Sequence, residues 1–139
     1  SASNNQIEET VMSKAMLEHV NLTVTDPDKT AEMLCDLFDW RIRWAGESIH
    51  NGRSVHVGNE DDYVALYRVG APRALERDEN YRLAGAVNHL GILVDDLLAT
   101  EKRIREYGLK THSHQTYEPG RRFYFHDHDG IEYEVLSYA

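Results

Sequence analysis

A chain that repeats itself has few ways to fold, because both halves must adopt one structure and must pack so that each covers the other. Here Leu17-Glu18-His19-Val20-Asn21-Leu22-Thr23-Val24 returns about 70 residues later as Val87-Asn88-His89-Leu90-Gly91-Ile92-Leu93-Val94. Each segment reads as a strand with a histidine at its third position. Side chains alternate faces along a strand. Val20, Leu22 and Val24 therefore share one face and His19, Asn21 and Thr23 the other, while Leu90, Ile92 and Val94 oppose His89 and Gly91. A third segment near the end repeats the pattern, with Ile131, Tyr133 and Val135 opposite Glu132, Glu134 and Leu136. Two histidines and a glutamate thus project from the non-core faces of three strands, as a metal site on a curved sheet would require.

The segments after the histidine strands repeat as well. Asp26-Pro27-Asp28 opens a helix, with Asp26 as N-cap and Pro27 at the first helical position. Ala31, Leu34, Cys35 and Phe38 then recur at helical spacing as an apolar stripe that includes Cys35 as a small core residue. After the second strand, Asp95-Asp96 caps a helix running to about Tyr107, with Leu97, Ile104 and Tyr107 on one side and Gly108 as its stop. Three strands come after each helix: 40–47, 54–57 and 63–69 in the first half, and 109–115, 122–126 and 131–138 in the second, where Asp129-Gly130 is a hairpin turn. The expected fold is therefore α+β: two βαβββ modules forming a curved eight-stranded mixed sheet, with the helices on its outer face. Residues 1–15 read as a flexible N-terminal arm, 16–70 as module one, 71–85 as a charged linker and 86–138 as module two.

Composition narrows the function. A chain of 139 residues suits one domain with an ordinary core. The net charge of −9 argues against nucleic acid or an anionic membrane as partner. The single cysteine allows no internal disulfide, and the first fifteen residues lack the apolar segment of a secretory leader, so a cytoplasmic setting is expected.

The sequence resembles the vicinal oxygen chelate superfamily of glyoxalases, extradiol dioxygenases, fosfomycin-resistance thiol transferases, methylmalonyl-CoA epimerases and bleomycin-binding proteins. The resemblance covers roughly residues 16–138. It rests on Glu18-His19-Val20, on Asn88-His89-Leu90, and on the ending from Arg122-Phe123-Tyr124 to Ile131-Glu132-Tyr133-Glu134. His128 stands in the final turn where the family often has proline. The resemblance implies metal ligation at His19, His89 and Glu134, a small-molecule substrate with vicinal oxygens, and a homodimer. Its glyoxalases carry a fourth, acidic or amide ligand on the last strand of the first module, where this chain has Ala65 or a neighbour. Three ligands instead match the dioxygenases and thiol transferases, in which a Phe-Tyr pair corresponding to Phe123-Tyr124 precedes the last strand. Tyr124 is accordingly the candidate catalytic residue, as hydrogen-bond donor or acid/base; a wall residue with no proton role is the alternative.

The donor set suits a divalent ion of Fe, Mn, Zn or Ni type. The plainer alternative is that His19 and His89 are polar residues of a binding cleft. His112 and His114 are expected on one face of their strand, as are His126 and His128, with too few companions for a second metal site. Arg121 and Arg122 are candidates to orient an anionic substrate, and Glu132 is expected at the rim. The leading function is a metal-dependent oxidoreductase resembling the ring-cleaving extradiol dioxygenases. The alternatives are a glyoxalase-like lyase or isomerase, and a metal-free protein that sequesters a drug-sized molecule.

Overall fold

The computed structural model describes residues 14–116 and 120–139; nearly all of the expected N-terminal arm lies outside them. Module one runs β1 (His19–Thr23), α1 (Pro27–Phe38), β2 (Arg41–Ser48), β3 (Gly52–Gly58) and β4 (Tyr63–Arg68). A short helix α2 (Glu79–Arg82) lies in the linker, where none was expected. Module two runs β5 (Leu90–Leu93), α3 (Leu97–Glu106), β6 (Thr111–Gln115), β7 (Arg121–His126) and β8 (Glu132–Ser137).

The strand orders are β1-β4-β3-β2 and β5-β8-β7-β6, so the two modules repeat one topology. The eight strands form two four-stranded mixed sheets rather than one continuous ladder. In each sheet the histidine strand pairs parallel with the last strand, and the other pairings are antiparallel. Local chemistry starts both long helices as expected. Asp26 accepts a hydrogen bond from Lys29 N at 3.2 Å and Asp96 from Ala99 N at 3.0 Å, each filling a backbone donor that the first turn leaves free.

One apolar cluster runs through both halves. It takes Leu22, Val55, Val57, Val64 and Leu66 from one sheet, and Ile92, Phe123, Phe125, Tyr133 and Val135 from the other. The buried stripe of α1 is Thr30, Ala31, Met33, Leu34 and Leu37, which leaves Cys35 only half-buried at its edge. On α3, Leu97 and Ile104 are buried, but Tyr107 caps the helix and stays exposed.

The modules are tied through the Asp129 turn. Asp129 is buried, and its carboxylate accepts from Thr25 N at 3.1 Å and Thr25 Oγ1 at 2.5 Å, at the end of the first histidine strand. Its carbonyl accepts from Leu75 N of the linker at 2.9 Å. Asp127 holds the same turn from inside, accepting from Asp129 N, Ile131 N and the Tyr133 hydroxyl. Gly130 has φ +80, and a Cβ there would meet Leu75 O at 3.0 Å, so the position needs glycine twice over. Removing a charged acceptor strands buried donors. Asp129→Ala should therefore lower unfolding stability by about 2–3 kcal/mol in urea denaturation, with Asp129→Asn falling between it and wild type. An alanine variant as stable as wild type would mean that the tie contributes nothing.

Candidate functional site

Each sheet has one face in the core and one face turned away from it, and the second carries the candidate ligands. In module two, strand register sets Gly91 beside Glu134 and Tyr124 beside Glu134. Phe123 and Phe125 are fully buried, so alternation sends Tyr124 to the opposite face. There its hydroxyl donates to Glu134 Oε1 at 2.6 Å. Donation to a carboxylate holds the proton on the phenol and pushes its pKa up to about 12. His89 lies one residue before β5, with Nε2 at 3.6 Å from Glu134 Oε1 and Nδ1 at 2.6 Å from Asn88 Oδ1. Arg122 approaches the same glutamate, Nη1 to Oε2, at 3.7 Å. Arg121 is exposed.

Glu132 is not a rim residue. It is 3% exposed, because the linker folds over it and Tyr81 donates its hydroxyl to the carboxylate, at 2.6 Å to Oε1. That bond pushes the Tyr81 phenol up to about 12 as well. His126 Nε2 lies 3.1 Å from Glu132 Oε1, and His126 Nδ1 lies 3.1 Å from His112 Nε2. A carboxylate only accepts, so His126 donates from Nε2, accepts at Nδ1 from His112, and leaves His112 Nδ1 to accept from Ser113 Oγ at 2.9 Å. This chain leads from a buried acid toward the edge strand. Burial, with the neighbouring His126 as the lesser cause, pushes the His112 pKa down.

His112 and His114 do not share a face. A register irregularity falls between His112 and Gln115, and Ser113 has φ +57. An extra residue in a strand reverses the parity of the residues beyond it. His112 therefore lies beside Tyr124 and His126, whereas His114 contacts Glu101 of α3 at 2.5 Å and stacks on Phe123. His126 and His128 separate too, since His128 lies past the strand, 3.4 Å from Thr30 Oγ1.

Module one presents a different face. His19 stacks on Tyr63 with centroids 5.0 Å apart, Tyr63 on His56 at 4.7 Å, and Trp44 lies 5.1 Å from His56. Arg43 sits over the Tyr63 ring at 4.4 Å. Burial first, then the nearby His19, pushes the His56 pKa down. His19 Nδ1 lies 2.7 Å from Glu18 Oε1. Register sets Ala65 beside Asn21, as Glu134 is set beside Gly91, so Ala65 is the first module's counterpart of Glu134. By the same register His56 corresponds to Tyr124. Carrying the internal alignment through to the third strand of each module would have found His56. Nothing local marks Tyr81, which a linker fold brings in.

The structure thus brings His89, Glu134 and Tyr124 together and leaves His19 among Glu18, His56 and Tyr63. Among the described residues no three histidine, cysteine, aspartate or glutamate side chains of one chain are grouped to hold a metal ion. No described helix is long and apolar enough to cross a membrane.

Comparison with known proteins agrees with this architecture. A domain from Frankia sp. EAN1pec described as glyoxylase/bleomycin resistance protein/dioxygenase is 21% identical, with TM-score 0.74 over 89% of this chain and 98% of its own. The fosfomycin resistance protein FosX from Mesorhizobium loti is 25% identical, with TM-score 0.67 over 88% of this chain and 91% of its own. A mutant FosX from Listeria monocytogenes, complexed with Mn(II) and 1S,2S-dihydroxypropylphosphonic acid, is 18% identical, with TM-score 0.68 over 88% of this chain and 92% of its own. No curated relative matches the sequence. The family model matches residues 16–135, nearly all that is described, and the chain belongs to the Glyoxalase/Bleomycin resistance protein/Dioxygenase superfamily.

Proposed function

We propose that this chain is a metal-dependent enzyme acting on a small substrate with two adjacent oxygens. His19, His89 and Glu134 are its metal ligands, and Tyr124 is the proton-bearing group beside them. The observation that carries the reading is the open-faced pair of His89 Nε2 and Glu134 at 3.6 Å, with the Tyr124 phenol on the same carboxylate. Two donors that each lie about 2.1 Å from one ion are at most about 4.2 Å apart, so the pair fits. Imidazole and carboxylate donors suit Fe, Mn, Zn or Ni, and FosX complexed with Mn(II) supports a divalent ion in this fold. Bound there, the ion would supply a Lewis acid for the substrate oxygens.

In this reading a second copy of the chain supplies His19. His19 has its contacts on the first module's face, apart from His89 and Glu134, and the His19 and His89 side chains are both partly exposed. Trp44 and Leu93, 48% and 62% exposed, are among the large apolar side chains left for such a homodimer to cover. Cytoplasmic placement goes with the same reading and is supported by the single cysteine, which suits a reducing setting.

Ring cleavage in the manner of the extradiol dioxygenases is the first reaction considered, on the strength of the three-ligand set. A fosfomycin-resistance activity is the second, favoured by the likeness to FosX. Ala65 at the position equivalent to Glu134 weighs against the four-ligand glyoxalase alternative. Metal-free sequestration of a small molecule would need no ion at all. In any of the enzymatic readings Tyr124 gives its hydrogen bond to a substrate oxygen, and Arg122 orients a negative substrate group.

Metal titration by calorimetry and elemental analysis tests the first part. Wild type should bind Mn(II), and His19→Ala and Glu134→Ala should each lose it. Mixing those two variants after unfolding and refolding should restore uptake that neither shows alone, since a mixed dimer rebuilds one complete site. Failure of wild type to take up Fe, Mn, Zn or Ni would sink the metal reading, and failure of the mixture alone would sink the site shared between two copies. A screen of catechols and fosfomycin then separates the reactions. On the substrate it identifies, Tyr124→Phe should lower turnover by about 10²–10⁴-fold with metal content unchanged.

A further inference from the structure

The residue before each candidate histidine is also paired with it. His19 Nδ1 lies 2.7 Å from Glu18 Oε1, and His89 Nδ1 lies 2.6 Å from Asn88 Oδ1. Glu18 and Asn88 occupy the same position of the internal repeat. A carboxylate oxygen and an amide oxygen only accept, so in both pairs the imidazole must carry its proton on Nδ1. A neutral imidazole has one N–H, and the hydrogen bond made by one nitrogen decides the state of the other. Nε2 is then left with its lone pair. At His89 that nitrogen is the one turned toward Glu134, 3.6 Å away.

We propose that Glu18 and Asn88 are positioning residues: each holds the adjacent histidine as the Nδ1–H tautomer, with the ring turned so that Nε2 faces the site. The proposal rests on the metal reading for its purpose but not for its evidence, since the tautomer exists in the metal-free protein. The two devices differ in kind. Stacking on Tyr63 fixes the plane of the His19 ring from one side while the Glu18 carboxylate fixes its rotation. The His89 ring meets Tyr124 edge-on, 5.7 Å between centroids, and its neighbour is a neutral amide. The histidine supplied by module one is therefore hydrogen-bonded to a charged acceptor, whereas the one in module two is hydrogen-bonded to a neutral amide, with the Glu132 carboxylate beyond hydrogen-bond reach at 3.9 Å from Nδ1. A charged acceptor makes the stronger hydrogen bond and the more electron-rich ligand.

The test reads the tautomer directly. Full-length protein with 15N-labelled histidine is stripped of metal, and long-range 1H–15N correlation spectra are recorded at alkaline pH, where free imidazole is neutral. His19 and His89 should both show the Nδ1–H pattern, assigned by His19→Ala and His89→Ala. Glu18→Ala and Asn88→Ala should each shift the neighbouring histidine toward Nε2–H, whereas Glu18→Gln and Asn88→Asp, which keep an accepting oxygen, should retain the wild-type pattern. Glu18 is exposed and Asn88 half-buried, and neither side chain lies in the core, so the fold should tolerate all four changes. Mn(II) titration is the second arm: the alanine variants should bind about 10–100-fold more weakly than wild type, with the conservative variants close to it. An Nε2–H pattern in the wild type, or alanine variants that keep the wild-type tautomer, would overturn the proposal. Tautomers that agree with the proposal in a protein that takes up no metal would overturn the metal reading and leave the positioning role standing.

Discussion

The structure depends on the two faces of β8 being held apart. This strand is bonded on both sides, parallel to β5 and antiparallel to β7, so it can neither slip nor turn over without losing both ladders. Tyr133 and Val135 are fully buried on one face, and Glu132 and Glu134 are committed to the other. A one-residue slip would bury both carboxylates in the apolar cluster and push an aromatic ring into the site. Burying an unpaired charge costs far more than the hydrophobic gain of any single side chain, so the core enforces the position of the acids. Phe123 and Phe125 do the same for Tyr124 on β7.

Duplication gives the chain two such faces, and they have diverged. Module two keeps acids, hydroxyls and imidazoles in hydrogen-bonded contact: Tyr124 with Glu134, Tyr81 and His126 with Glu132, and His112 with His126. Module one replaces the acid at the Glu134 position with Ala65 and the phenol at the Tyr124 position with His56, and stacks rings instead. One face is rich in acceptors, and the other carries His19, His56 and Arg43. In the proposed function this division of labour is that of two faces meeting across a substrate, in contrast to two copies of one site. The modules meanwhile stay tied back to back through Thr25 and Asp129, by Arg103 reaching Leu37 O at 3.3 Å, and by the Phe38–Phe125 contact.

Much of this is legible in the residues because it obeys short-range rules. Alternation alone places Tyr124 opposite Phe123 and Phe125, and Asp26 and Asp96 announce both helices by chemistry confined to one turn. The histidine pairs on β6 and past β7 escape the same rule for an equally physical reason. Alternation assumes an unbroken strand, and a left-handed Ser113 breaks it. Glu132 is buried rather than at the rim because Tyr81, fifty-one positions away in the linker, covers it, and no periodicity connects the two.

By itself the sequence determined the repeat, the order of elements within it, and which side chains share a face where the strand is unbroken, because those depend on backbone parity and on neighbours within a few positions. Tertiary structure alone decided that the strands close as four and four, that the linker roofs Glu132, and that His19 stands apart from His89 and Glu134. Each of these is a distance between segments joined only through the packed core, set by how two sheets and two helices share one apolar volume.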